Sequence, residues 1–203
     1  MLKYVCSPLI FCFALFLSHV ALGAPIKDDP MQVIQSSNNR ILSIYKTSKH
    51  IDRQVQEKIF AVMEEVTDFD TIGKRATDGF CGANPAKLCS EFRKTFIDLL
   101  KINGLRKLGH YRADRFEYKG EEIKGDVATI KTIAHYKNDS IQLDYVLERR
   151  DGRWKIVDYI ADEVDTIRNY RQQFKRILTR SSLADLTARL KDKVRQYQQE
   201  ASQ

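Results

Sequence analysis

The chain of 203 residues sets 34 lysines and arginines against 27 aspartates and glutamates, a formal net charge of +7, with 43% hydrophobic residues. No internal repeat, linker or low-complexity tract interrupts it, which excludes repeat arrays and leaves one compact domain as the default. The basic balance suits contact with anionic membrane surfaces, or serves solubility alone.

The opening stretch, MLKYVCSPLIFCFALFLSHVALG, carries one positive charge at Lys3 and an unbroken apolar run from Leu9 to Leu17. It ends in Ala21-Leu22-Gly23, a small-residue pattern suited to signal peptidase. The run is short for an uncleaved membrane anchor. The expectation is a signal peptide over 1–23, cleaved after Gly23, and an exported chain over 24–203. Such a chain meets anionic lipid more readily than nucleic acid, and transient membrane-surface contact is expected.

Asp29-Pro30 supplies a helix cap and a first-turn proline, and Val33, Ile34, Ile41, Leu42 and Tyr45 follow at helical spacing. A second helix fits 52–66, burying Val55, Ile59, Phe60 and Met63. The stretch DFDTIGKRATDG reads as a short helix that stops near Gly79. Asn84-Pro85 then opens a longer helix with Leu88, Phe92, Phe96, Leu99 and Leu100 along one stripe. Cleavage would remove Cys6 and Cys12 and leave Cys81 and Cys89 around that Asn-Pro turn. In an oxidising compartment this pair reads as a structural disulfide; the spacing does not suit a zinc knuckle.

Beyond Ala113 the period switches to two, and strands fit 115–123, 126–136, 140–149 and 153–161. Asp151-Gly152 is a two-residue hairpin turn. With Arg150 opposite Arg153, strict alternation sets Tyr145 opposite Asp158 and puts Trp154, Ile156, Asp158 and Ile160 on the same face as Leu143, Tyr145 and Leu147. Helices over about 166–178 and 182–199 close the chain. A mainly helical 24–112, a sheet over 113–161 and a helical 162–203 make an α+β layout: a curved antiparallel sheet of about four strands covered by helices, with an N-terminal helical lobe.

The chain has no G-x-S-x-G, no H-E-x-x-H and no glycine-rich phosphate loop, and His50, His110 and His135 are dispersed. No metal, cofactor or catalytic residue is expected. Asp68-x-Asp70 suits a helix cap better than a metal. Asp158, alone on an apolar face, needs a partner: Tyr145 opposite, or an arginine of the next helix such as Arg171. It either fixes a strand-to-helix corner or, with Tyr145, forms an acid–base pair in an enzyme or a binder of small hydrophobic molecules.

The signature Y-x-L … G-x-W-K-[IV]-x-D … N-Y-R-x-Q-F, here Tyr145, Leu147, Gly152, Trp154, Lys155, Ile156, Asp158, Asn169, Tyr170, Arg171, Gln173 and Phe174, resembles the MlaC/toluene-tolerance family. DFDTIGKR, EFRKTF and SLADLTARL extend the resemblance to roughly residues 31–195. It implies an NTF2-like sheet with helices enclosing an apolar cavity for phospholipid acyl chains, in a periplasmic, non-enzymatic carrier. The partners implied are an outer-membrane lipoprotein complex and an inner-membrane MCE-domain ABC transporter. Cavity residues would be Phe92, Phe96, Leu99, Leu100, Ile130, Leu143, Tyr145, Leu147, Ile156, Ile160, Tyr170 and Phe174, with Asp158 and Arg171 structural. The chain departs from the family at Asp162-Glu163-Val164-Asp165, where Glu-Gly-Val-Ser is usual, and at DGFCGANP, which lacks the family's Trp.

Overall fold

A computed structural model describes residues 29–110 and 112–200, with 105–110 in backbone alone. The expected signal peptide lies outside the described residues. Among them no helix is long and apolar enough to cross a membrane.

Among the described residues four α-helices precede the sheet: α1 (Pro30–Thr47), α2 (Arg53–Val66), α3 (Phe69–Ala76) and α4 (Ala86–His110). Aspartates start the first three. Asp29 accepts from Met31 N at 3.0 Å, Asp52 from Val55 N at 2.9 Å and Asp68 from Thr71 N at 2.9 Å, each satisfying an amide that the helix itself leaves unpaired. Asp70, the other half of the D-x-D, pairs with Lys74 one turn on, at 2.5 Å. The loop between α3 and α4 is closed by the Cys81–Cys89 disulfide, with Cα atoms 5.6 Å apart.

The sheet is antiparallel in sequence order: β1 (Arg115–Lys124), β2 (Val127–Tyr136), β3 (Asp139–Arg150), β4 (Arg153–Ala161) and the short β5 (Val164–Asp165). β5 is a fifth strand beyond the four read from the sequence. It exists because Asp162 and Glu163 both adopt positive φ, +46° and +66°, folding the chain back so that Val164 pairs with Ala161. α5 (Thr166–Leu178) and α6 (Leu183–Glu200) complete the chain.

The β3–β4 register corrects the sequence reading. Arg150 pairs with Arg153 and Leu147 with Ile156 as alternation predicts, but a bulge follows and Val146 pairs with Asp158. Val157 is the extra residue, and it is fully buried. From there the faces exchange: Tyr159, not Asp158, stands opposite Tyr145, and Asp158 and Ile160 turn to the outer face. The outer edge of β4 is taken up by Thr67, which bridges to Ile156, and by β5.

Hydrophobic packing separates into three clusters. On the inner face of the sheet, Ala128, Ile130, Tyr145, Leu147, Trp154 and Ile156 pack with Ile34 of α1. α1 and α2 join through Ile41, Tyr45, Val55, Ile59 and Val62. On the far side, α3–α6 bury Ile72, Phe92, Phe96, Ile167, Phe174 and Leu186, with edge-on rings such as Phe92–Phe174 at 5.1 Å.

Candidate functional site

Between α1–α2 and the inner face of the sheet lies a cavity of about 200 Å³. α1 contributes Ser37, Asn38, Ile41 and Tyr45, and α2 contributes Met63 and Val66. The strands contribute Phe116, Ala134, Tyr136, Ile141, Leu143, Tyr145, Ile156, Tyr159 and Ala161, with Ala113 at the entry to β1. Ile34, Asn38, Ile41 and Tyr45 recur at helical spacing and are all buried, so α1 presents one stripe to this side.

The wall's polar groups are mostly paired, with one another or with residues just behind the wall. The Tyr145 hydroxyl donates to Asn38 Oδ1 at 3.2 Å, and Asn38 Nδ2 donates to the Tyr118 hydroxyl at 3.2 Å. Tyr159 and Thr67 share a hydrogen bond of 3.1 Å. Burial raises the Tyr145 phenol further than any neighbour opposes, and pushes Tyr159 up to about 12, so both remain neutral hydrogen-bonding groups rather than anions. The Tyr45 hydroxyl is the exception, buried with no hydrogen-bond partner among the described residues. Leaving such a group unmatched costs about 1–3 kcal/mol.

Of the residues expected to line a cavity, the structure brings Leu143, Tyr145 and Ile156 together here. Ile130 and Leu147 lie deeper on the same inner face, packed beside Trp154, and are not on the wall. Phe92, Phe96, Leu100, Tyr170 and Phe174 stand elsewhere, in the core shared by α3–α6. Leu99 is buried on α4 and does not line this cavity. Ile160 is carried to the outer face by the bulge. The contributions of α1 and α2 were not foreseen. Asn38, a polar residue inside an apolar stripe, was the signal that could have revealed them, because a buried amide requires a specific partner.

Asp158 is placed differently from both expectations. It neither meets Tyr145 nor pairs with an arginine; Arg171 instead reaches Asp78 at 3.2 Å. Asp158 Oδ1 accepts from the amides of Tyr159 at 2.7 Å and Ile167 at 3.2 Å, at the first turn of α5. Asp165, the α5 cap, accepts from Arg168 N at 2.7 Å and sets its carboxyl against that of Asp158. Burial, then the neighbouring Asp165 carboxyl, raise Asp158 from 3.8 to about 7. Asp158 therefore keeps its proton up to about pH 7 at a helix start, where its bonds to the Tyr159 and Ile167 amides fix a corner.

A larger open groove of about 640 Å³ lies at the α5–α6 turn, lined by Gln173, Arg176, Ile177, Thr179, Arg180, Ser181 and Arg189. Three arginines make it a cationic surface, and it is more open than the mostly apolar space under α1.

Two helices roof an apolar cavity on one face of an antiparallel sheet. The family model for "MlaC protein" matches residues 35–192, and the chain belongs to that family. No curated protein matches the chain. Among solved structures, a phospholipid-binding protein from Ralstonia solanacearum, determined in complex with a phospholipid, is similar in fold. Its TM-score is 0.70 at 17% identity, over 83% of this chain and 98% of that one.

Proposed function

We propose that this protein is an exported, non-enzymatic carrier that holds phospholipid acyl chains in the cavity between α1–α2 and the sheet. The observation that carries the reading is the apolar-walled space itself, in a chain of the MlaC family whose structural relative binds a phospholipid. Each methylene withdrawn from water is worth about 0.8 kcal/mol, so a sixteen-carbon chain resists the aqueous phase by on the order of 12 kcal/mol. A carrier needs a dry wall for that chain and no reacting group. Asp158, the residue best suited to acid–base work by its raised pKa, lies on the other face of the sheet and is committed to α5.

The cavity is smaller than the ~300–1,000 Å³ of pockets that bury a whole small ligand. Loading a two-chain lipid therefore requires α1 and α2 to move outward from the sheet. The arginine-lined groove at the α5–α6 turn gives the carrier a surface for transient contact with anionic membranes. In this reading the protein works in the periplasm, between an outer-membrane lipoprotein complex and an inner-membrane MCE-domain ABC transporter.

The test is mass spectrometry of the purified chain over 24–203, native and after solvent extraction. Stoichiometric phospholipid is expected in the wild type and at least a tenfold loss in Ala134→Trp, which fills the cavity from β2. A folded wild type that neither retains lipid nor takes it from vesicles refutes the carrier reading.

A further inference from the structure

The groove at the α5–α6 turn gathers charges that the fold leaves without partners. Elsewhere the chain pairs its arginines: Arg40 with Glu65, Arg75 with Glu148, Arg149 with Asp126, Arg171 with Asp78 and Arg195 with Asp192. Arg176, Arg180 and Arg189 all line the groove, and among the described residues none of their side chains makes a hydrogen bond or a close ion pair. Helix electrostatics do not account for the set. Arg176 lies in the last turn of α5, where the dipole favours a cation, but Arg180 lies beyond that helix and Arg189 in the first half of α6, where the dipole favours none.

The other polar groups of the wall are engaged locally. Gln173 donates to Asn169 Oδ1 at 3.2 Å, Thr179 to Arg176 O at 2.8 Å and Ser181 to Asp185 Oδ2 at 3.5 Å. The three guanidiniums are therefore the free donors. Asp185 adjoins the wall through Ser181, and the bonds it accepts from Ser182, with Arg189 adding a smaller share, hold its carboxyl below the usual range. Three arginines against one carboxylate leave the site with a charge of about +2.

A phosphate monoester carries about −1.5 to −2 near neutral pH and three strong acceptor oxygens. It matches the site in charge and offers one oxygen to each guanidinium, whose planar fork of donors suits phosphate. A phosphodiester or a carboxylate brings one charge and two free oxygens, and leaves a guanidinium unmatched. The groove, at about 640 Å³, has the size of a small-ligand site, and its open mouth admits a headgroup projecting from a bilayer. We propose that this groove binds a phosphate monoester, presented by a lipid headgroup at a membrane surface. The lipid as source rests on the carrier reading, sharpening its diffuse membrane contact into a headgroup site, and the experiment tests the two apart.

Three proteins would be co-sedimented with phosphatidylcholine vesicles carrying either phosphatidic acid or phosphatidylglycerol, matched in zeta potential. They are the wild type, a groove variant with Arg176→Gln, Arg180→Gln and Arg189→Gln together, and a control that loses the same charge from exposed arginines elsewhere, Arg53→Gln, Arg153→Gln and Arg168→Gln. The wild type is expected to bind the phosphatidic acid vesicles at least about tenfold more tightly, the range that one hydrogen bond to a charged group supplies. The groove variant is expected to bind both alike, at an unchanged melting temperature, and the control to keep the preference. Equal binding of the matched vesicles by wild type, or a preference that survives in the groove variant or disappears in the control, overturns the proposal. Displacement from the vesicles by hexaglutamate, equimolar with the accessible phosphatidic acid, overturns it too, since carboxylates would then be the preferred acceptors. Calorimetric binding of glycerol 3-phosphate without binding to either vesicle overturns the lipid as source. A wild type that shows the vesicle preference yet retains no lipid refutes the carrier reading and leaves the groove site standing.

Discussion

Asp158→Asn separates a structural acid from a catalytic one. In the folded protein Asp158 is raised from 3.8 to about 7 by burial and by the Asp165 carboxyl beside it. At about 1.4 kcal/mol per unit, ionising it in place costs a few kcal/mol. Between about pH 4 and 7 the folded chain holds a proton that the unfolded chain releases. By linkage, this site's contribution is complete below 3.8 and is lost as pH rises through about 7. The introduced amide keeps an oxygen for the backbone N–H groups of Tyr159 and Ile167 and supplies a permanent N–H toward Asp165. The variant is therefore expected to be about 1–3 kcal/mol more stable than wild type at about pH 8 and to match it near about pH 4.5. The assay is urea unfolding across pH, followed by the fluorescence of Trp154, the only tryptophan and 2% exposed. Lipid loading is expected to be unchanged. A variant that is destabilised in the alkaline range, or whose stability follows the wild-type pH slope, refutes the raised pKa of Asp158. Loss of loading in a folded variant refutes the structural role.

Two further perturbations probe local backbone. Glu163→Gly restores the residue usual in the family at φ +66°; relief of a left-handed conformation worth about 1–2 kcal/mol outweighs glycine's added chain entropy of about 0.5–1 kcal/mol. A melting temperature raised by about 1–4 °C is expected; Asp162→Gly in the same turn should gain less, because Asp162 also accepts from Gln142 N at 3.2 Å, and an Asp162→Gly that outperforms Glu163→Gly contradicts the account. Replacing Cys81 and Cys89 together by serine opens the loop from 81 to 89 and is expected to lower stability by about 2–3 kcal/mol, or the melting temperature by roughly 4–12 °C. Calorimetry showing no shift means that the side-chain bond from Asn84 to Phe80 O and the packing of Phe80 hold that loop unaided.

Element order was legible because its signals are local. Caps at Asp29, Asp52 and Asp68 marked helix starts, and Asp151-Gly152, with φ of +49° and +78°, marked a hairpin turn. The bulge at Val157 was not legible. In WKIVDYIA apolar residues occupy both parities, and both faces of β4 are partly covered, so either register satisfies the pattern. That one extra residue moved Asp158 and Ile160 out of the cavity and brought Tyr159 in. A second ambiguity is physical as well. The stripe Phe92, Phe96 and Leu100 shows that one face of α4 is buried, but helical periodicity does not say whether a sheet or another helix covers it. Large apolar residues were therefore weak guides to the cavity, because they fill space wherever they are packed well. The better guide is where side chains are small. Ala113, Ala134 and Ala161 all line the cavity, from the entry to β1, from β2 and from β4, and each leaves room that a leucine would occupy. Ala134, at 6% exposure, is the most direct place to remove that room, since a larger side chain on β2 competes with the ligand for the same volume.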